Sequence, residues 1–232
     1  MEKNVAQTSK YLQLWQAYER LFEMPVVDQK EITLDNGRYC VEILEYRQQA
    51  AHHQTGQSVN MGVSRYIITD QSGKTLAEIK SLDDHHLINF VRHQNGHDYL
   101  IYRIDLYGYS VMDLTTGKQI DYFPESGLYG GEPFIWCETT YCSVNNLLAV
   151  GGCYWACPYS YQFYDFSNPM QLPLPMYCDL TTLEREFDFE IKVTDNTIIT
   201  FTEIGECVIE QREQQQIQSR HIIDVSKRMK QE

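Results

Sequence analysis

Residues 145–166 read NNLLAVGGCYWACPYSYQFYDF. Two apolar, β-favouring runs, LLAV at 147–150 and YQFYDF at 161–166, flank a Gly-Gly pair and a Cys-Tyr-Trp-Ala-Cys-Pro segment. That pattern suits two adjacent strands joined by a broad, aromatic connection. Glycine weakens a strand interior, so Gly151 and Gly152 mark a bulge or a place where another group approaches the backbone closely. The stretch therefore predicts a strand pair with something packed against its backbone at the two glycines.

Working outward, short apolar runs rich in Ile, Val, Tyr and Phe alternate with turn signals from residue 30 onward. Segments 30–34 and 38–47 flank Asp35-Asn36-Gly37, which can supply the positive φ values of a tight hairpin. Segments 63–70 and 74–80 make a second hairpin, and 87–92, 98–105, 109–113 and 118–123 repeat the grammar. Aligning ITDQSGKTLAEI (68–79) with VMDLTTGKQIDYF (111–123) leaves a shared form: an apolar strand, Asp70 or Asp113, a turn ending in Gly-Lys, and another strand. A third copy runs through 134–142, 147–152 and 161–166, with Asp165 in the Asp position and a short continuation through Leu172 and Leu174. Prolines in that LPLP run predict an edge or irregular strand. A fourth copy is drawn through 187–193, 197–203, 206–212 and 217–225. Four antiparallel units of roughly 40 to 50 residues match the period of propeller blades, and a β-sandwich with extended meanders is the alternative. The recurring Asp reads as a turn former, since its carboxylate can accept backbone N–H bonds across the following turn.

Before residue 30 the period is different. Tyr11, Leu14, Trp15, Tyr18, Leu21 and Phe22 recur at three- and four-residue intervals on one face of a helix, capped by Thr8 or Ser9 and ended by Pro25. Its aromatic face is expected to cover an open end of the β-structure or, alternatively, to dock a partner. The chain thus divides into a helical segment, 1–29, packed on an all-β, propeller-like domain, 30–232. Segment 48–60 has no apolar pattern and reads as an exposed, mobile loop with His52 and His53 in solvent.

The chain has 232 residues, 43% of them hydrophobic, with 17 tyrosines and a formal charge of −13. This composition excludes a disordered chain and favours strands over helices. The negative charge repels a phosphate backbone, and Lys227, Arg228 and Lys230 form too short a basic tail to reverse that, so no nucleic acid partner is expected. No apolar run is long enough to span a bilayer, and the N-terminus lacks a secretory cleavage pattern. A soluble, unprocessed, cytoplasmic protein without a membrane partner is expected. Its seven cysteines, an odd and scattered set, should remain reduced there and serve mostly as small buried hydrophobes.

The hairpin grammar of DQSGKTLAEI and DLTTGKQIDYF resembles that of propeller repeats. The segment NNLLAVGGCYWACPYSYQFYDFSNP resembles a group of uncharacterised bacterial propeller-like proteins, and the likeness covers much of 63–175. It implies the fold and attaches no activity. There is no Trp-Asp repeat ending and no kelch Gly-Gly doublet in each unit.

Three sets of residues are candidates for chemistry. If Asn145-Asn146 is a two-residue turn, Glu138 falls opposite Cys153 with Cys137 beside it. The spacings Cys153-x3-Cys157 and Cys137-x4-Cys142 are not metal knuckles, however, so no metal or other cofactor is expected. His85, His86, His93 and His97 straddle a Gln-Asn-Gly turn and read as surface groups. Glu132 and Glu138 lie near Trp136 and Gly130-Gly131, yet no nucleophile elbow, Walker loop, dinucleotide fingerprint or HExxH helix is present, and no catalytic residue is assigned. The aromatics Tyr107, Tyr109, Tyr129, Trp136, Tyr154, Trp155 and Tyr159 fall in or beside connections, where rings either bind partners or sugars or pack over sheet ends. The ligand-binding candidates are Trp136, Tyr154, Trp155, Tyr159 and Tyr129 with Glu132 and Glu138. They suit non-catalytic binding of a protein or peptide. The alternative is a carbohydrate-active hydrolase or lyase with carboxylates near Trp136 and Trp155.

Overall fold

A computed structural model describes residues 2–51, 58–83, 85–155, 157–194, 196–213 and 216–225. The described chain forms four antiparallel meanders, each with its strands adjacent in sequence order. The first sheet holds β1 (Val26–Leu34), β2 (Tyr39–Ala51), β3 (Ser58–Asp70) and β4 (Thr75–Ser81). The second holds β5 (Ile88–Arg92), β6 (Asp98–Arg103), β7 (Tyr109–Asp113) and β8 (Lys118–Tyr122). The third holds β9 (Ile135–Cys142), β10 (Leu147–Cys153), β11 (Ser160–Asp165) and β12 (Met176–Asp179). The fourth has three strands, β13 (Thr197–Phe201), β14 (Cys207–Glu213) and β15 (Gln216–Ile223).

The sheets are stacked in series. One core joins Val41, Ile43, Tyr66 and Ile68 of the first sheet to Leu100, Tyr102 and Met112 of the second. A second core joins Ile101, Tyr109 and Val111 to Trp136, Leu148 and Val150. A third sets Ala149, Tyr161 and Phe163 against Ile199, Cys207 and Ile209. Strands buried on both faces lose the polar alternation of a half-exposed sheet, which is why LLAV and YLIY read as continuous apolar runs. The result is an all-β, propeller-like array, and among the described residues no core cluster joins the fourth sheet back to the first.

The repeat is physical as well as textual. The third strands read YIITD (66–70), YSVMD (109–113) and YQFYD (161–165), and each closing Asp pairs with the first or second residue of the preceding strand: Tyr39 with Asp70, Tyr99 with Asp113, Leu147 with Asp165. The Asp70 carboxylate accepts from Ser72 N at 2.8 Å and Lys74 N at 3.1 Å. Asp113 accepts from Thr115 N at 2.9 Å and Thr116 N at 3.1 Å, and Asp165 from Ser167 N at 2.8 Å. These are turn-forming bonds, as the sequence implies. The tyrosine four residues earlier is buried in every copy. Its hydroxyl reaches the next layer: Tyr66 lies 3.3 Å from His86 Nδ1, Tyr109 accepts from Leu174 N at 3.1 Å, and Tyr161 lies 3.2 Å from Thr197 O.

Two expectations fail in the last copies. The fourth sheet lacks a strand at 187–193; helix α2 (Leu180–Phe187) precedes that segment. Asp179 caps the helix by accepting from Thr182 N at 2.8 Å, and Leu180 and Leu183 bury its apolar side against the third core. The third sheet's last strand is Met176–Asp179, whereas Leu174 turns into the core between the second and third sheets. In the first sheet, residues 48–51 and 58–60 of the expected loop are strand, since β2 and β3 remain paired out to Ala51 and Ser58. His52 and His53 lie outside the described residues.

The N-terminal helix forms as α1 (Ser9–Tyr18), capped by Thr8 and continued by a 3-10 turn, Glu19–Glu23. The helix lies beside Lys80 of β4 and Asp121 of β8, the outer strands of the first two sheets. Val5 N donates to Phe123 O at 2.9 Å, and the Tyr11 hydroxyl donates to the buried Asp105 carboxylate at 2.5 Å. Leu21 and Phe22 cover Tyr46 and Val63 on the far face of the first sheet. Leu14 does not join them and is exposed.

Candidate functional site

The two glycines decide where the aromatic residues of the third sheet point. Gly151 pairs with Glu138 and Gly152 with Trp136, which leaves Cys137 as the extra residue of a β-bulge. A Cβ on Gly152 would stand 1.9 Å from the Ile135 carbonyl oxygen, and one on Gly151 would meet Glu138 Oε1 at 2.6 Å. The bulge also breaks the alternation of β9. Trp136 faces the second sheet, where it stacks on Tyr109 at 3.8 Å between ring centroids. Glu138, two residues on, faces the fourth sheet and accepts from the Tyr161 hydroxyl at 2.5 Å. Without the bulge the two side chains would share a face.

On the Trp136 side, a cleft of about 310 Å³ opens between the second and third sheets. Its second-sheet wall is Tyr109, Tyr122 and, from the β6–β7 connection, Tyr107. The third-sheet wall is Phe134, Trp136 and Tyr164, with Leu174 contributing from the connection into β12. The rings form a continuous row: Tyr122 tilts on Tyr109 at 5.1 Å, Tyr109 stacks on Trp136, and Tyr164 tilts on Trp136 at 5.1 Å. Arg103 fixes the Trp136 backbone by donating Nη1 to its carbonyl at 2.8 Å while pairing with the buried Asp83.

Few polar groups enter. Gln162 is buried and donates to the Tyr154 hydroxyl at 3.1 Å while accepting from that of Tyr164 at 2.5 Å. Tyr154 packs edge-on against Phe134 and is 46% exposed, so it stands at the opening, as does Met176. Among the described lining residues, Glu2 supplies the one carboxyl group. Burial, reinforced by Glu2, pushes the Tyr122 phenol up to about 12. Burial raises Tyr107 as well, and the Glu132 carboxylate adds to it.

No protein-family model matches the chain, and no curated protein matches it significantly.

Of the seven residues singled out from sequence, the cleft gathers Trp136 and Tyr154. Trp155 is 55% exposed and Tyr129 69% exposed, the latter beneath the Lys10 ammonium at 3.8 Å. Glu132 is exposed and lies outside the lining, although its charge reaches Tyr107. Tyr159 and Glu138 sit on the opposite face of the third sheet, with Tyr159 packed edge-on against Tyr161 at 5.8 Å. The sequence reading missed Tyr122, Phe134, Gln162 and Tyr164. The available signal was YQFY in β11, whose polar and aromatic residues supply both faces of one strand.

The other candidate sets do not assemble. His93 is buried and bonds to Phe166 O at 2.9 Å, contrary to the surface reading; His86 meets Glu45 at 2.8 Å and His97 meets Asp113 at 2.8 Å. Glu138 pairs with Gly151 rather than standing opposite Cys153, because the chain turns through four residues at 143–146 instead of two. Only Cys142, Cys178 and Cys207 are buried, together in the third core; Cys137 and Cys157 are exposed. Among the described residues no three His, Cys, Asp or Glu side chains are grouped to hold a metal.

Proposed function

We propose that this protein is a non-catalytic binding module that seats part of a protein or peptide in the cleft between its second and third sheets. The observation that carries the reading is the cleft's described lining: a wall of aromatic rings, a bonded amide at Gln162, and Glu2 as the one carboxyl group among those residues. Concave apolar sites with a few orienting polar groups are the common form of a binding pocket. Glycosidic hydrolysis by a carboxylate pair needs two such groups across the bond, and Glu132 and Glu138, the pair considered from sequence, lie outside this lining. The β-array holds the walls rigidly, which limits the entropy lost on binding.

A cytoplasmic setting accords with this reading. The seven cysteines are free thiols, as in a reducing compartment, and no described helix is long and apolar enough to cross a membrane.

The test is selection of peptides from a random library on the wild-type protein, followed by affinity measurements on Tyr154→Leu. Tyr154 stands at the opening, so the variant should fold normally and bind the selected peptides about tenfold or more weakly, the scale of losing one anchoring ring. Selected peptides that bind both proteins equally would place the binding surface elsewhere. Trp155→Ala then shows whether the surface continues along the β10–β11 connection.

A further inference from the structure

The cleft is aromatic and acidic at once. None of its described lining residues is basic. Glu2 lies in the lining, and the chain as a whole carries a formal charge of −13. The Glu2 carboxylate is held in place, its Oε2 accepting from Ser126 N at 3.0 Å. The charge of Glu132 also acts on Tyr107 from outside the lining. Aromatic faces carry negative potential and attract ammonium or guanidinium groups within about 6 Å of the ring centre, most strongly on tryptophan and tyrosine. An anionic group would meet those faces and the carboxylate unfavourably. A purely hydrocarbon group would gain nothing from the Glu2 charge.

We propose that the group seated in this cleft is an organic cation, the ammonium or guanidinium head of a partner's lysine or arginine side chain, with Glu2 as its counter-charge and the tyrosine rings as its walls. This rests on the cleft being the binding site, and it adds the chemistry of the occupant. The apolar stem of such a side chain suits Leu174 and Met176, while the charged head is drawn to the rings and Glu2.

The test compares charged and neutral probes of similar shape by NMR titration at low salt. One pair is Nα-acetyl-lysine methylamide and its Nε-acetylated form; the other is choline and 3,3-dimethylbutan-1-ol. The charged lysine probe should bind about 3- to 30-fold more tightly than its neutral counterpart, the range expected for a cation over aromatic faces. That preference should shrink in Glu2→Gln and at high ionic strength, while the neutral probe's affinity stays the same. Tyr154→Leu should weaken both members of the pair.

Neutral probes that bind as tightly as charged ones, with Tyr154→Leu still weakening both, would overturn the cation and leave the cleft as a binding site. Discrimination within the choline pair alone would overturn the side-chain source in favour of a free quaternary ammonium. If no probe binds and peptide selection also ignores the Tyr154 variant, the cleft reading falls with the cation. Thermal melts of Glu2→Gln, at an exposed position, separate loss of binding from loss of fold.

Discussion

Replacing Asp105 with Asn removes a buried charge at the point where the N-terminal helix meets the second sheet. The carboxylate accepts three hydrogen bonds, from the Tyr11 hydroxyl at 2.5 Å, Tyr107 N at 3.0 Å and Gly108 N at 2.6 Å. Burial nevertheless dominates, and it raises the carboxyl group from 3.8 to about 6 against those bonds, with Asp83 adding to the rise. The folded state therefore holds its proton more tightly than the unfolded chain does. Stability from this group is complete below about pH 4, where both states are protonated, and is lost as pH rises through 6. The rise to about 6 corresponds to about 3 kcal/mol, at roughly 1.4 kcal/mol per pH unit. In the Asn variant the amide oxygen can still accept from the two backbone N–H groups, and the amide N–H can donate to Tyr11. Urea unfolding, followed by tryptophan fluorescence between pH 4 and 8, measures both proteins. The wild-type stability relative to the variant should fall by about 2 to 3 kcal/mol across that range. Other titrating groups are common to both proteins and cancel in the difference. A difference constant to within about 0.5 kcal/mol would refute the claim that burial outweighs the three hydrogen bonds.

Gly152→Ala should destabilise the protein by about 2 to 4 kcal/mol, because the new methyl group collides with the backbone of Ile135 rather than with a movable side chain. Denaturant titration reads this directly, and an unchanged midpoint would disprove the bulge. Trp136→Ala should cost about 3 to 5 kcal/mol, since Trp136 is buried and stacked on Tyr109. Trp155→Ala should stay within about 0.5 kcal/mol at its exposed position. Equal losses at the two tryptophans would contradict their assigned positions.

The meanders were legible because strand period, turn glycines and the recurring Asp are local properties. Asp70, Asp113 and Asp165 bond to the turns that follow them within two to four residues, so no knowledge of distant contacts was needed. Gly151 and Gly152 were likewise legible as a place of close approach, because only the absence of a side chain explains them. The absence of a strand at 187–193, and the helix just before it, were not legible. Over 180–187 a local Asp179 cap and the apolar pair Leu180 and Leu183 produce a helix, and the decisive burial comes from a core assembled by residues far along the chain. The cleft was half legible. Trp136 and Tyr154 were named, but Glu138 was grouped with them on the wrong side of the sheet, because one bulged residue reverses the parity of a strand.

By itself, the sequence determined that this protein is a series of antiparallel meanders with a helix at the front, since hydrogen-bonded turns and two-residue alternation are written in neighbouring residues. Tertiary structure alone decided which rings meet. Tyr109, Tyr122, Trp136 and Tyr164 come from four strands in two sheets, and their row exists because those sheets stack face to face. Side-chain direction depends on register, and register across sheets is set by packing.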